Sequence, residues 1–328
     1  MSTDAFPSKI LVTGAAGYVG GALVRKLLAR PDTHVIGVDW TRMPHGAEGV
    51  RELLGEPRLE FHRADVRDLD AIRPLLAGAD AVVHLAAIVG DPAGKRDPDL
   101  TRDINVTASK RLVEEASAAG VGHFIFVSTC SNYGVSDTDA LVTEDADLNP
   151  VSLYAETKVA VEEFLREQAN GLGYTALRLA TVYGVAPRMR FDLTVNQFTI
   201  EAYRDGALSI FGEQFWRPYA HVDDIARAIV MVLAAPRKSR NQTFNVGDSG
   251  ENYTKRMMYE LLKERLPGLR AEWTTVDEDP RSYKVSFDKI RETLGYQVTK
   301  RVPDGMDEIL ERARLGVYPD ASAERFRN

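Results

Sequence analysis

Short runs of β-branched residues alternate with helix-length amphipathic segments through the first half of the chain. This alternation favours a parallel sheet covered by helices on both faces, because parallel strands need long crossover connections. The predicted strands are residues 10–13, 34–39, 59–63, 81–85, 123–128 and 175–179. The predicted helices, whose apolar residues recur every three or four positions, are residues 19–29, 69–76, 100–119 and 153–170. We therefore predict an α/β fold with a doubly wound parallel sheet.

The pattern changes after about Gly184, where shorter elements follow one another with more irregular spacing. The predicted elements are helices at 193–204, 223–235 and 253–264, strands at 208–211, 244–246 and 272–276, an aromatic loop at 215–219, a surface turn at 236–240 and a final helix pair. We find no repeat and no low-complexity linker. These features predict a smaller mixed α/β lobe after the sheet.

The composition narrows the class of protein. Of 328 residues, 44% are hydrophobic and 27% charged, as is ordinary for a globular chain. The net charge is −7 without any basic block, so we expect no nucleic-acid partner. Cys130 is the single cysteine, and the six histidines lack ligand spacing, so we expect no disulfide and no metal. Because no secretory signal or run of about 18 apolar residues is present, we expect a cytoplasmic protein without a membrane partner.

A glycine-rich segment joins the first predicted strand to the first helix. Gly14, Gly17 and Gly20 give the spacing G-x-x-G-x-x-G, which suits a tight turn, close approach to a pyrophosphate and close helix packing. The glycine triplet alone is weak evidence for a pyrophosphate-binding loop, because a turn between a strand and a helix often needs glycine anyway. Asp39, at the end of the second strand, can accept hydrogen bonds from a ribose and repel a 2′-phosphate, which predicts NAD over NADP. Arg42 could soften that repulsion.

Tyr154 and Lys158 open a predicted helix with the spacing Y-x-x-x-K. Residues four apart share one helix face, so a phenol and an ammonium can enter one pocket. The ammonium and a positive nicotinamide ring lower the pKa of the phenol from about 10, which makes the tyrosine a usable base. The motif alone could be a surface helix. Ser128 and Thr129, at the end of the fifth strand, add hydroxyls that would face the cofactor.

The carboxyl ends of parallel strands meet at one edge of the sheet, where ligands of such folds bind. Asp65, taken singly, fits a loop cap better than a ligand. Together with the glycine loop, these strand ends complete the predicted cofactor site. Its residues are Gly14, Gly17, Tyr18, Val19, Gly20, Asp39, Asp65, Val66, Leu85, Ala86, Ala87, Tyr154 and Lys158.

These motifs, in this order, resemble the extended short-chain dehydrogenase/reductase family, in particular its NAD-dependent nucleotide-sugar epimerases and dehydratases. The matching segments are residues 13–20, 39, 65, 84–87, 128–129, 154–158, 177–184 and 217–224. The resemblance implies a Rossmann-type sheet, NAD as the cofactor, and Thr129, Tyr154 and Lys158 as catalytic residues. It also implies a homodimer in which the helices at 100–119 and 153–170 of two subunits pack together.

The chain departs from the dehydratase branch of this family at the fifth strand. That branch has S-T-D-E-x-Y-G, whose Asp and Glu act as acid and base, whereas this chain has Ser128-Thr-Cys-Ser-Asn-Tyr-Gly134. Cys130 and Ser131 replace both carboxyl groups, so we expect no 4,6-dehydration. We interpret Cys130 as a packed side chain, with a pocket-lining thiol as the alternative. Thr181 replaces an Asn that usually contacts the substrate in 4-epimerases of UDP-sugars, which argues against UDP-glucose itself as the substrate.

An acidic protein that binds a nucleotide diphosphate needs local cations. The resemblance implies Arg217 and Arg281 as diphosphate contacts, and Arg188 and Arg190 lie on a neighbouring loop where solvated charges are an equal alternative. The predicted substrate-binding residues are Ser131, Asn132, Arg190, Asn196, Phe211, Arg217 and Arg281. We expect Asp223 to cap the helix that follows it rather than to bind a metal.

We predict an NAD-dependent nucleotide-sugar epimerase that oxidises C4 of the sugar transiently, with a Rossmann domain at 1–184 and a substrate lobe at 185–328. Residues of about 220–246 are expected to return to the first domain. The alternative is a C4 dehydrogenase that releases a keto product, for example from a GDP-heptose, since residues 130–132 and 187–191 are similar to such a branch. A non-catalytic NAD sensor is a third reading, although such a protein would be expected to lose Tyr154 or Lys158.

Overall fold

The computed structural model describes residues 5–41, 46–135, 140–168, 171–274 and 282–328. The strands of these residues are β1 (Lys9–Thr13), β2 (His34–Asp39), β3 (Leu59–Arg63), β4 (Ala81–His84), β5 (His123–Thr129), β6 (Gly173–Leu179), β7 (Thr181–Tyr183), β8 (Ala207–Phe211), β9 (Trp216–His221), β10 (Gln242–Val246), β11 (Asn252–Thr254) and β12 (Arg270–Thr274). Their α-helices are α1 (Tyr18–Leu28), α2 (Leu69–Leu76), α3 (Asp91–Arg96), α4 (Pro98–Arg102), α5 (Ser109–Ala118), α6 (Leu153–Gln168), α7 (Thr194–Asp205), α8 (Val222–Ala234), α9 (Pro236–Ser239), α10 (Lys255–Arg265), α11 (Asp288–Leu294) and α12 (Val302–Arg314).

Seven parallel strands form the main sheet, in the order β10-β6-β5-β4-β1-β2-β3. Successive residues of β1 point to opposite faces. Ile10 and Val12 pack in a core with α1 and α8, and Leu11 packs in a second core with α2, α5 and α6. Because both faces are buried under helices, the predicted α/β fold with a doubly wound, Rossmann-type sheet is confirmed.

The direction of the chain across the sheet reverses between β1 and β4. The first three strands run outward from β1, and the later strands extend the sheet from β4 on the other side. Ligands of open α/β sheets bind in the crevice at the carboxyl ends of the strands next to such a switch point. Gly14 follows β1, Asp39 ends β2, Leu85 follows β4 and Thr129 ends β5. The topology therefore brings the predicted cofactor residues to one edge.

The other strands form a three-stranded sheet, β11-β9-β7, and a two-stranded sheet, β12-β8. The predicted aromatic loop at 215–219 is wrong, because Trp216–His221 is the central strand of the three-stranded sheet and pairs on both sides. Tyr219 from this strand packs in a third core with Phe198 of α7 and Met258 of α10. Residues 216–221 thus form a strand because they pair with residues that are distant in the sequence.

The start of a predicted helix and the nature of a predicted turn also differ from the predictions. The predicted helix at 253–264 starts at Lys255, because Asn252–Thr254 pairs with β9 first. The Thr254 hydroxyl then caps the helix by accepting the N–H of Met257. The predicted surface turn at 236–240 is the short helix α9, in which Pro236 and Ser239 are buried.

Asp223 does not cap α8, contrary to the prediction. The imidazole Nδ1 of His221 accepts the N–H of Asp223, so His221 is the capping residue and Asp223 lies in the first turn.

The predicted helix at 100–119 is interrupted by a π-helical turn at Asp103–Ala108. Such turns are frequent at functional sites. The end of α6 predicted at 169–170 and the strand end predicted at 275–276 lie outside the described residues.

The chain returns to the main sheet between β9 and β11 of the three-stranded sheet. β10 pairs with β6, and α8 packs in one core with α1. The division into a cofactor domain up to residue 184 and a substrate lobe after it stays a prediction. In the part of the chain that the structure describes, no helix has both the length and the apolar character needed to span a bilayer.

Candidate active site

The loop between β1 and α1 has little room for side chains. Gly14 has a φ of +71°, and a Cβ at this position would lie 2.8 Å from the amide nitrogen of Ala86. A Cβ on Gly20 would overlap the carbonyl oxygen of Gly14. Helix α1 begins at Tyr18, after Gly17, and among the described residues no side chain caps its first N–H groups. An uncapped helix N-terminus beside a loop of glycine and alanine suits an anion such as a pyrophosphate.

Asp39 is fixed next to this loop by backbone donors. Its carboxylate accepts the N–H of Ala16 at 3.0 Å and the N–H of Thr41 at 2.9 Å. Burial raises the pKa of the carboxyl group, while the two N–H donors and the charge of Arg188 oppose that rise. The carboxylate therefore stands where β2 meets the glycine loop, at the position predicted for the ribose contact.

An apolar cluster lies beside Asp39 at the same edge. Its buried members are Val66, Ile104 and Ala108, and the partly buried residues packed against them are Trp40, Ala86, Ile88 and Leu100.

Asp65, which precedes Val66, pairs with Arg67 at 2.7 Å and accepts the N–H of Arg67 at 2.9 Å. These contacts support the interpretation of Asp65 as a loop cap, and its role toward a cofactor stays a prediction.

Tyr154 and Lys158 lie one turn apart on α6. The Lys158 Nζ lies 5.8 Å from the centre of the Tyr154 ring and donates to the carbonyl oxygen of Val127 at 2.8 Å. Lys158 is 3% exposed, and this burial lowers its pKa to about 7, while Glu162 opposes the shift. The spacing thus places a half-buried phenol beside an ammonium that titrates near neutral pH.

Thr129 ends β5 next to this pair. It follows Val127, whose carbonyl oxygen holds Lys158, by two residues. Its Oγ1 accepts the N–H of Ser131 at 3.1 Å, so the hydroxyl hydrogen is left to donate. The structure therefore places Tyr154 beside Lys158 on α6, and Thr129 at the end of the strand whose Val127 carbonyl oxygen Lys158 contacts.

Glu162 lies one turn beyond Lys158 on α6, and the motifs do not predict it. Its carboxylate pairs with Arg178 of β6 at 2.8 Å, accepts the Asn132 amide at 2.9 Å and accepts the Ser128 hydroxyl. Glu162 and Arg178 are both 6% exposed. A glutamate four residues after Lys158 on a buried helix face is the signal that could have identified it. This network holds the end of β5 against α6.

Cys130 is packed beneath the same strand end. Its thiol is 1% exposed and lies 3.2 Å from the carbonyl oxygen of Arg178. Burial raises the pKa of the thiol, which keeps it protonated. These contacts support the packed side chain over the pocket-lining alternative.

Residues 10–247 match the family model described as the NAD dependent epimerase/dehydratase family. The chain belongs to this family. The family predicted from the motifs is thereby confirmed, and NAD as its cofactor is confirmed with it. The glycine loop fits such a dinucleotide, because Gly14 and Gly20 let the backbone turn tightly against Ala86 and against the loop's own carbonyl oxygens just before the start of α1.

Proteins similar to this chain include both epimerases and a dehydratase. It is 30% identical to the uncharacterized UDP-glucose epimerase YtcB of Bacillus subtilis (strain 168), with 91% of this chain and 95% of the relative covered. It is 31% identical to a dTDP-glucose 4,6-dehydratase of Streptomyces griseus, with 90% and 91% covered. The crystal structure of UDP-glucuronic acid 4-epimerase from Bacillus cereus, in complex with UDP-glucuronic acid and NAD, matches with a TM-score of 0.81 and 28% identity, covering 92% of this chain and 99% of that one.

Tyr283, which the motifs do not predict, contacts two of the predicted substrate residues of this family member. These residues are Arg217 and Ser131. The guanidinium carbon of Arg217 lies 5.4 Å from the centre of the Tyr283 ring. The Tyr283 hydroxyl donates to the Ser131 Oγ at 3.4 Å. Tyr283 thus connects the end of β5 with β9 across a long sequence separation.

Three other predicted substrate residues bond within the protein. Asn132 belongs to the network around Glu162, and Asn196 is fully buried, with its amide nitrogen 3.1 Å from the Tyr18 hydroxyl and 2.8 Å from the Arg190 carbonyl oxygen. The Arg190 guanidinium pairs with Asp192 through two hydrogen bonds, of 2.9 and 2.7 Å. Their substrate roles stay predictions.

Phe211 is the last residue of β8 and is 54% exposed. Arg281, predicted to contact the diphosphate, and Arg42, predicted to soften the repulsion of a 2′-phosphate, lie outside the described residues. Of the predicted substrate set, the structure therefore links Arg217 and Ser131 through Tyr283, and the role of Phe211 stays a prediction.

Asn105, in the π-helical turn, is a third residue that the motifs do not predict. Its amide accepts the N–H of Ile88 at 2.8 Å and donates to the Ile88 carbonyl oxygen at 2.9 Å. It also donates to the Thr157 hydroxyl at 3.2 Å. An asparagine inside a predicted helix is the available signal, since its side chain competes with helical hydrogen bonds. Asn105 thereby ties the segment after β4 to the start of α6.

Proposed function

We propose that this protein is a C4 epimerase of a nucleotide-diphosphate sugar. The end of β5 carries the proposal, because the buried Cys130 and the Ser131 hydroxyl occupy the positions of the acid and base in the dehydratase branch. Cys130 contacts the Arg178 carbonyl oxygen, and Ser131 contacts Tyr283. Neither side chain is a carboxylic acid that could protonate a leaving hydroxyl, so transient oxidation at a carbinol is the chemistry that these residues favour.

The residues at the sheet edge supply the proton chemistry. NAD, when bound, supplies a hydride acceptor at this edge. Tyr154, as phenolate, takes the proton of the sugar hydroxyl, and the ammonium of Lys158 stabilises the phenolate. Thr129 donates its free O–H to the reacting oxygen, since its Oγ1 already accepts from Ser131. When the keto sugar is reduced on its other face, Tyr154 returns the proton to the same oxygen.

Arg217 supports a nucleotide diphosphate as the bound part of the substrate. The chain carries a net charge of −7, so a diphosphate needs a local cation. Arg217 lies on β9 near Tyr283, which itself contacts Ser131 at the catalytic strand end. The Bacillus cereus neighbour binds UDP-glucuronic acid together with NAD. We infer that Arg217 binds the diphosphate of a comparable donor while its sugar lies toward Ser131.

NMR spectroscopy of the purified enzyme with UDP-glucose, UDP-glucuronic acid and a GDP-heptose tests the reaction. We expect a product inverted at C4, without net formation of reduced cofactor in the absorbance spectrum. Stoichiometric keto sugar together with reduced cofactor would instead establish the C4 dehydrogenase. Formation of a 4-keto-6-deoxy sugar would show that the interpretation of Cys130 and Ser131 is wrong.

We also propose a cytoplasmic homodimer in which α5 and α6 of two subunits pack together. These helices are neighbours in the fold, and Lys110 of α5 lies 5.2 Å from the centre of the Phe164 ring of α6. They can therefore present one continuous surface to a second subunit. Light scattering after size-exclusion chromatography is expected to give twice the mass of 36.3 kDa. A monomer at micromolar concentration would contradict the homodimer.

A further inference from the structure

Arg188 is a buried cation near the cofactor loop to which the proposed mechanism gives no role. It lies in the segment between β7 and α7 and is 4% exposed. Its Nε is buried and has no hydrogen-bond partner among the described residues. A buried donor without an acceptor is costly, and such groups in native proteins call for an explanation.

Two anchors fix the segment that carries Arg188. At its start, the Tyr18 hydroxyl donates to the Gly184 carbonyl oxygen at 2.5 Å, which ties the segment to the glycine loop. At Arg188 itself, Nη2 donates to the Arg327 carbonyl oxygen at 3.2 Å and to the Asn328 side-chain oxygen at 2.6 Å. These contacts hold one end of the guanidinium and leave its Nε–H to a different acceptor.

The carboxylates of Asp39 and Glu48 interact electrostatically with this cation. The charge of Arg188 lowers the pKa of Asp39, against the effect of burial. Burial lowers the pKa of Arg188 itself only to about 10, so it stays charged at neutral pH. Glu48 also interacts with Arg188, and its Oε2 is buried without a partner among the described residues. Gly49, next in sequence, packs against the carbonyl oxygens of the glycine loop.

We propose that Arg188 is a specificity-determining residue for the dinucleotide. It donates its Nε–H on the adenosine-ribose side of the cofactor and acts as the counter-charge of Asp39. This inference rests on the proposed cofactor site, in which Asp39 contacts the ribose. With both residues present, the site accepts ribose hydroxyls and Asp39 repels a 2′-phosphate. Without the carboxylate, Arg188 is a cation suited to a phosphate.

Calorimetric titration with NAD(H) tests the direct contact. Arg188→Gln removes the charge and is expected to raise the NAD(H) dissociation constant about tenfold, as for loss of a charged hydrogen bond. Arg51→Gln removes the same charge from an exposed neighbouring site and is expected to leave the constant unchanged. If Arg188→Gln does not fold, Arg188→Met, an apolar chain of similar length, replaces it. An unchanged constant in the folded variant would overturn the contact.

Titration with NADP(H) tests specificity in an Asp39→Ala background. This variant is expected to gain NADP(H) affinity relative to NAD(H) by about tenfold or more, and adding Arg188→Gln is expected to remove most of that gain. If the gain survives in the double variant, Arg188 does not bind the phosphate and serves only as a structural partner of Glu48. In that case Glu48→Gln would lower the melting temperature as much as Arg188→Gln does. These binding constants do not depend on which sugar is turned over, so they remain informative if the epimerase proposal fails.

Discussion

The cofactor edge and the substrate side of this molecule are built in different ways. Gly14, Asp39 and Thr129 lie at the ends of parallel strands, and the continuous sheet fixes their relative positions. Arg217 lies on β9, whose neighbours β7 and β11 come from distant parts of the chain. A short motif can therefore predict the chemistry at the sheet edge, whereas substrate contacts depend on long-range pairing.

The two regions also differ in how their charges are held. Glu162 and Arg178 are almost fully buried and form several mutual hydrogen bonds beside the catalytic strand. Arg217 is half-buried, and its Nη1 donates to the carbonyl oxygen of Trp216 at 2.7 Å. Substitutions at the sheet edge should therefore act on folding and turnover, and substitutions on the substrate side should act on one binding constant.

Glu162→Ala should show the largest effect and the clearest contrast. It leaves Arg178 as an unpaired buried charge, which should lower the free energy of unfolding by about 3 to 5 kcal/mol. Urea denaturation measures this change. Glu163→Ala, at the exposed position next to it, is the matched control and should change stability by less than about 0.5 kcal/mol. Equal losses in the two variants would show that the network does not stabilise the sheet edge.

Tyr154→Phe should separate catalysis from folding at that same edge. The ring remains but the proton acceptor is gone, so turnover should fall by about 10² or more. Calorimetry should show unchanged NAD binding. Tyr203→Phe, which removes a phenol hydroxyl from an exposed site on α7, should keep full turnover. Near wild-type turnover in Tyr154→Phe would mean that another group takes the proton.

Arg217→Ala should affect the substrate side alone. Loss of its charged contacts is expected to raise the dissociation constant of the nucleotide sugar about tenfold while NAD binding stays unchanged. Arg204→Ala removes an exposed arginine, paired with Asp205, from α7 and serves as the control. If Arg217→Ala binds the nucleotide sugar as tightly as the wild type, the diphosphate site lies elsewhere.

Lys158 should give a smaller, pH-dependent effect on stability. Burial lowers its pKa from 10.5 to about 7 in the folded protein, so between these values the unfolded chain binds more protons. The free energy of unfolding should therefore rise with pH in this window, by about 1 kcal/mol between pH 7 and pH 8. Lys158→Met should remove this increment in urea titrations without added nucleotide. If the free energy of unfolding depends on pH in the same way in the wild type and in Lys158→Met, the lowered pKa of Lys158 is contradicted.

Particular residues show how far the sequence predicts the site. Gly14, Gly20, Tyr154 and Lys158 are predicted correctly in their local geometry, because the spacing of each motif lies within one turn or one loop. Tyr283 and its contact with Ser131 are not predicted, since no periodicity connects residues that are so far apart in sequence. The capping role assigned to Asp223 belongs to His221, because either side chain suits a helix start and only the local backbone decides.

The sequence by itself determined the doubly wound sheet, the cofactor and the family, because strand and helix periodicities and the motifs that follow strands are local properties. The tertiary structure decided which polar residues face each other: Glu162 with Arg178, Asn105 with Thr157 and Tyr283 with Ser131. It also made Trp216–His221 a strand, since β7 and β11 supply its hydrogen-bond partners. Burial and pairing energies depend on the three-dimensional neighbours of a side chain, and a linear pattern does not specify those neighbours.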